Sequence, residues 1–362
     1  MAFNKQNLVS LIQVAVKHKA SDIHIRTNEV PCLRIRGALV PIQTKTFAKE
    51  DVEAIAHIIF GKKELIDNID KINELDGGFA INGLCRVRYN FFKYDKKYGI
   101  IFRIVNETIP SIDDLNINPV IKKIAAQKRG LVLVTGPTGS GKSTTLAAII
   151  DYINTNRQEH IITIEDPIEY LHPQKKSRVT QREIGKDTDN FQDGLRAALR
   201  QDPDVILIGE MRDPETVQIA LKAAETGHLV FSTLHTTNSL STIGRVISMF
   251  PPEEQKDVRE RLAINLYSTI SQRMLKNADN SGVAIAQEIM ITTPGVVDCI
   301  EGKDPLERIV TIIKENNKAG GNGSVSFDQD IMNLYKDNII SKETAIEAAE
   351  SAGDFLHDLE ID

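Results

Sequence analysis

The chain has 362 residues, 41% hydrophobic and 26% charged, with a net charge of −6, no Trp and only 5% aromatic residues. That is the balance of an ordinary globular protein of two or so domains. It excludes a globally basic nucleic-acid binder and leaves little aromatic surface for stacking bases, so no nucleic-acid partner is expected.

The chain opens with Leu8, Leu11, Ile12, Ala15 and Val16 at helical spacing, which predicts an amphipathic helix. Ser10 and Gln13 interrupt this stretch and no small-residue cleavage site follows, so it reads as a folded helix and not as a signal peptide. The period then shortens. Asp22–Arg26 and Cys32–Arg36 alternate apolar with polar residues, as half-buried strands do, and Gly37 ends the second. A helix is predicted over Val52–Phe60 with Gly61 as its C-cap. Cys85–Tyr94 and Tyr98–Val105 read as two further strands joined at Asp95–Lys97. Residues 1–105 thus form a small α+β domain. Residues 106–119, with two prolines and several Asn and Asp residues, read as a linker.

From residue 120 to residue 362 the pattern becomes strand, turn, helix, repeated. Apolar runs at Leu131–Val134, Ile161–Ile164, Val205–Ile208 and Leu229–Leu234 predict a mainly parallel sheet with helices on its faces. Asn316–Gly323, rich in Asn and Gly, reads as a loop. No apolar run approaches the roughly 18 residues of a membrane span. Cys32, Cys85 and Cys299 are far apart, which excludes a disulfide framework, argues against a zinc site and suits a reducing cytoplasm. Charge is uneven: residues 1–118 carry 17 Lys and Arg against 14 Asp and Glu, and the rest carries 27 against 36.

Chemistry concentrates in the second region. Gly136-Pro137-Thr138-Gly139-Ser140-Gly141-Lys142-Ser143 matches the phosphate-loop pattern GxxxxGK[ST]. Its glycines give backbone N–H groups access to phosphate, Lys142 reaches the β- and γ-phosphates, and Ser143 holds Mg²⁺. The helix beginning at Thr144 aims its positive end at the anion. Phosphoryl transfer also needs acids at neighbouring strand ends. Glu210 follows Val205–Ile208 after Gly209, and Ile164-Glu-Asp-Pro-Ile-Glu169 offers three more carboxylates, Glu169 among them. His228 and His235 bound one apolar strand and are candidates to contact phosphate. Arg88 and Arg103, on the last two strands of the first domain, are candidates for the cation that stabilises the transition state.

These residues resemble the secretion ATPase superfamily. Gly136–Thr144, Ile162–His172, Leu195–Asp213 and Gly227–Asn238 are similar to its Walker A, Asp, Walker B and His boxes, in its order and spacing. Val179–Thr188 and Ser21–His24 resemble its PilT/PilU branch, the type IV pilus retraction motors. The longer assembly ATPases carry a four-cysteine zinc motif that is absent here.

The resemblance implies a PAS-like N-terminal domain followed by a RecA-like P-loop ATPase domain, assembled as a homohexamer that hydrolyses ATP with Mg²⁺. It implies pilus retraction and twitching motility, and a platform protein as partner at the inner face of the cytoplasmic membrane. Glu169 and Glu210 take the catalytic carboxylate places, His228 and His235 the His box, and Arg88 and Arg103 the arginines aimed at the γ-phosphate. One segment departs. Where that branch carries AIRNLIRE, this chain reads Pro294–Gly302 without arginine. This leaves open an accessory, PilU-like role beside a paralogous retraction ATPase, and a ring subunit that only binds ATP. A nucleic-acid translocase on the same fold is the remaining alternative.

Overall fold

The computed structural model describes residues 3–361 except 36, 62, 82, 106–107, 280–281 and 317–320. Arg36 at the end of the second predicted strand, the first two residues of the predicted linker, and residues 317–320 of the Asn/Gly-rich stretch lie outside the described residues. The chain divides into two compact units, Met1–Thr108 and Ile109–Asp362.

The first unit runs α1 (Lys5–Lys17), β1 (Asp22–Arg26), β2 (Cys32–Ile35), β3 (Ala38–Pro41), α2 (Lys49–Phe60), α3 (Lys63–Asp67), β4 (Glu74–Ile81), β5 (Cys85–Tyr94) and β6 (Lys97–Val105). Asn4 caps α1, its side chain accepting from Asn7 N–H while the Asn7 side chain accepts from Asn4 N–H. Gly61 closes α2 in the left-handed conformation. The strands form one antiparallel sheet in the order β3-β2-β1-β6-β5-β4. Val87 and Phe91 of β5, with Ile100 and Phe102 of β6, face a buried core against α1 and α2. Arg88 and Arg103 project from the opposite face.

Two strands here escape the alternation rule. β3 is a four-residue edge, exposed throughout and ending in Pro41, a residue suited to an edge because it donates no hydrogen bond. β4 contains Gly77-Gly78, a residue type that weakens a strand interior. A Cβ at Gly77 would stand 2.4 Å from the Tyr89 ring directly across the ladder, so the glycine makes room for the tyrosine.

The second unit runs α4 (Val120–Ala125), β7 (Gly130–Thr135), α5 (Lys142–Asn156), β8 (His160–Glu165), β9 (Arg178–Glu183), α6 (Phe191–Ala198), β10 (Val205–Ile208), α7 (Pro214–Glu225), β11 (Leu229–Leu234), α8 (Ser239–Ser248) and α9 (Gln255–Asn265). It continues with β12 (Leu266–Lys276), β13 (Val283–Ile291), α10 (Pro294–Glu301), α11 (Arg308–Asn316), α12 (Phe327–Lys336), α13 (Lys342–Ala348) and α14 (Ala352–Ile361). The sheet order is β13-β12-β7-β11-β10-β8-β9. Every neighbouring pair is parallel except β12 with β13.

β7, β10 and β11 are buried at every residue, as parallel strands covered on both faces must be. α5 packs on one face and α7 to α10 on the other. Ile112 and Ile117, from the stretch read as a linker, are buried in the core on the α5 face. β12 and β13 give no alternating apolar signal because β12 buries Ser268, Thr269, Ser271 and Gln272. Among the described residues no helix is long and apolar enough to cross a membrane.

Candidate nucleotide site

The site is built at the carboxyl edge of the parallel strands, where open α/β sheets bind their ligands. β7 ends at Thr135 and the chain turns through Gly136–Gly141 into α5. The helix starts at Lys142, two residues before the position read from the sequence, so Lys142 and Ser143 belong to its first turn. Gly136 has φ +144°, and a Cβ there would stand 2.5 Å from both the Gln272 carbonyl and Ser140 Oγ. Gly141 has φ +90°, and its Cβ would meet Met274 and Ile285. Pro137, Thr138 and Gly139 form the exposed tip, and Gly136 and Ser140 are buried beneath it.

Lys142 folds back under this loop. Its Nζ donates to the carbonyls of Gly136 (2.8 Å) and Pro137 (3.1 Å). Burial pushes the ammonium pKa down, and the charges of Glu210 and Glu169 pull it partly back. Ser140 Oγ is buried with no partner among the described residues. A desolvated lysine satisfied only by loop carbonyls, an unused hydroxyl and a glycine cradle together fit a phosphate chain.

Ser143 lines a cavity of about 40 Å³ with Glu165, Glu169, Tyr170, His172 and Thr233. Thr144 Oγ1 lies 3.0 Å from the Tyr170 hydroxyl, tying the loop that carries Glu169 to α5. No cluster of three or more His, Cys, Asp or Glu residues suited to a metal exists among the described residues. That donor set fits Mg²⁺ held through one hydroxyl and the substrate's own phosphates.

β8 and β10 are adjacent and in register, Ile164 beside Ile208, so the segments bearing Glu165, Glu169 and Glu210 leave from the same edge. Glu165 accepts from Thr163 Oγ1 (2.6 Å) and Gln181 Nε2 (3.2 Å). Its burial raises the carboxyl pKa against those two bonds. Thr233 Oγ1 donates to the Gly209 carbonyl at 2.7 Å, anchoring the turn before Glu210. Glu210 pairs with Arg212 through one oxygen and stands 3.6 Å from His235 Nε2 through the other. His235 follows Leu234, which is level with Thr135, so it stands beside the start of the phosphate loop.

Of the residues read from the sequence, the fold gathers Lys142, Ser143, Glu169, Glu210 and His235. It does not bring His228 to them. His228 precedes β11, one strand length or roughly 20 Å from the loop edge. Its Nδ1 lies 2.8 Å from the Ala223 carbonyl and 3.0 Å from Thr226 Oγ1, at the C-terminus of α7. Arg88 and Arg103 belong to the first unit, directly opposite each other on β5 and β6. Arg103 Nε donates to Asp22 Oδ1 at 2.9 Å, with the rest of its side chain in solvent. Sequence reasoning passed over Arg212 and Tyr170, and offered Glu165 only as one of the three carboxylates of its stretch. The signal for Arg212 was a cation two positions beyond a strand-end acid.

The family described as Type II/IV secretion system protein matches residues 2–321. The type IV pilus retraction ATPase PilT of Pseudomonas aeruginosa is 41% identical over 349 residues, 96% of this chain and 100% of that one. The type IV pilus ATPase PilU of the same organism is 35% identical over 344 residues, 95% of this chain and 89% of that one. A crystal structure of the pilus retraction motor PilT with bound ADP superposes with a TM-score of 0.86 at 38% identity, covering 96% of this chain and 98% of the other.

Proposed function

The chain belongs to the Type II/IV secretion system protein family, and on that footing we propose that it is a motor ATPase that powers retraction of type IV pili and hence twitching motility. The observation that carries the reading is Lys142, buried, held by the Gly136 and Pro137 carbonyls and facing the charges of Glu169 and Glu210. On ATP binding, Lys142 exchanges those carbonyls for β- and γ-phosphate oxygens, and Ser140 Oγ gains its partner. Mg²⁺, held by Ser143 and the phosphates, would neutralise charge on the β- and γ-oxygens. Glu210 and Glu169 orient the attacking water and take its proton, with His235 positioned on the Glu210 carboxylate. Tyr170 fixes the Glu169 loop to the helix that carries Ser143.

The working form in this reading is a homohexamer. Arg88 and Arg103 supply the cations that stabilise the γ-phosphate of an adjacent subunit. Asp22, paired with Arg103, holds that side chain until it is needed. The ring sits on the cytoplasmic face of the membrane against a platform protein, with no nucleic acid involved. Steady-state Mg²⁺-ATP turnover of the purified protein, with and without single-stranded DNA, tests the enzymatic part. Turnover that needs Glu210 and ignores DNA supports the motor, and turnover that rises with DNA overturns it in favour of a translocase.

One observation favours a second reading, an accessory ATPase beside a principal retraction motor. At the place of the arginine-bearing segment, α10 buries Val296, Cys299 and Ile300, and its acids Asp298 and Glu301 pair with Lys303. Pilus retraction in cells holding this chain as their sole retraction ATPase separates the two readings.

A further inference from the structure

The buried polar row on β12 has a use beyond filling space. Gln272 is fully buried, and its Nε2 donates to Thr145 Oγ1 at 2.8 Å, in the first turns of the phosphate-loop helix. Its backbone carbonyl lies against Gly136. In the antiparallel ladder Gln272 stands directly opposite Gln287 of β13, which is also fully buried. Directly opposed residues project from the same face with Cβ atoms about 5 Å apart. That face is the one covered by α4 and α5, since the neighbours Ile270, Ile285 and Ile289 belong to its core.

Gln287 is tied at its far end. Its Oε1 accepts the backbone N–H of Asn118 at 3.0 Å, and its own N–H donates to Asp330 at 2.7 Å. Asn118 belongs to the stretch that enters the second unit after Thr108 and leads into α4, and its side chain accepts the Val120 N–H at 3.0 Å. The two ends fix both amides. Thr145 occupies the NH₂ of Gln272, and Asn118 occupies the oxygen of Gln287. What remains is an acceptor, Gln272 Oε1, and a donor, Gln287 Nε2. Neither has a partner among the described residues. An unmet buried donor or acceptor is costly, because it has given up water without gaining a partner. Here the two unmet groups are complementary and sit on opposed side chains.

We propose that Gln272 and Gln287 are positioning residues whose mutual hydrogen bond closes when nucleotide orders the phosphate loop. The closed chain Thr145–Gln272–Gln287–Asn118 couples nucleotide occupancy to the entry stretch of the second unit, just before α4. The inference rests on the nucleotide-binding reading above. Such coupling is reciprocal, so restraint of Asn118 also favours nucleotide in the loop.

Hydrogen–deuterium exchange of the full chain, with and without saturating Mg²⁺-ADP, tests this. The expected result is slower exchange with nucleotide in peptides covering 136–144 and, by about threefold or more, in peptides covering 116–121. In Gln272→Met, a replacement of similar volume, 136–144 still responds and 116–121 no longer does. Protection of 136–144 with no response at 116–121 in the unaltered chain overturns the coupling and leaves the nucleotide site standing. So does a response at 116–121 that survives Gln272→Met. No response in either region overturns the nucleotide site and the coupling with it. Where Gln272→Met does not fold, Gln287→Met takes its place with the same expected and overturning results.

Discussion

Glu210 and Arg212, two residues apart on the turn after β10, form an ion pair that leaves the arginine largely in solvent and the glutamate largely buried. His235 stands on the second oxygen of the same carboxylate. The acid is therefore aimed from two sides, by groups on different strand ends. Arg212 is paired with Glu210, so its loss is expected to disturb the orientation of that carboxylate and not nucleotide binding. Arg212→Ala is expected to lower kcat about tenfold, part of the 10²–10⁴ that a positioned acid–base group contributes. KM should stay within about twofold, and Arg212→Lys should recover part of the rate. A rise in KM with unchanged kcat would place Arg212 on the substrate instead.

Lys142 and Glu210 should separate binding from chemistry. Lys142→Ala leaves the Gly136 and Pro137 carbonyls without their donor and the phosphates without their cation. Both nucleotide binding and turnover are expected to be lost. Glu210→Gln keeps size and polarity but removes the charge of the carboxylate proposed as the base. Turnover should fall by about 10²–10⁴ with nucleotide affinity within a few-fold. Titration with a fluorescent ADP beside steady-state turnover reads both variants, and equal loss of affinity in the two would contradict the division of labour.

The two histidines of one strand should part company. His235→Ala acts beside the reacting groups and is expected to lower kcat. His228 holds the Ala223 carbonyl at the end of α7, so His228→Ala should cost about 0.5–1.5 kcal/mol of stability and leave KM and kcat of the folded protein near their original values. Urea unfolding and turnover on the same preparations make the comparison. A kinetic defect in a fully folded His228→Ala chain would mean that His228 acts on a neighbouring copy.

The strands and loops most legible in the sequence were those whose surroundings impose a simple period. β5 has one buried and one open face, and its alternation gave its ends to the residue. β7, β10 and β11 are covered on both faces and read as plain apolar runs. β4 and β12 were hidden for opposite reasons. β4 yields two positions to glycine, and at the first, Gly77, Tyr89 crosses the ladder. β12 spends its buried positions on hydroxyls and an amide, of which Ser271 bonds Thr135 and Gln272 bonds Thr145 on either side of the phosphate loop.

The candidate site was legible where local spacing determines geometry, as in Gly136–Ser143. His228 and His235 are symmetrical in the sequence, yet a strand of six residues carries them to opposite edges of the sheet. Arg212 and the opposed pair Gln272 and Gln287 become visible only once strand order and register are known.

His172 offers a measurement tied to the cavity beside α5. Burial holds its pKa down to about 4 from an ordinary 6.5, and its Nδ1 has no partner among the described residues. The unfolded chain therefore takes up this proton near pH 6.5, and the folded chain takes it up only near pH 4. Between those values the unfolded state binds more protons, so stability falls as pH drops from about 6.5 towards 4 and levels below. The full effect is roughly 3 kcal/mol at 1.36 kcal/mol per unit. Glu165, in the same cavity, has its pKa raised by burial and works with the opposite sign, weakening the fold as pH rises. The wild-type curve mixes the two, and the variant separates them. His172→Gln removes only the first slope. Its stability relative to the unaltered chain should be constant above pH 7 and should improve steadily between pH 6.5 and 4.5. Urea midpoints at three pH values are sufficient. A difference that does not change with pH would mean that His172 takes up its proton in the folded chain as it does in the unfolded one, without the penalty of burial.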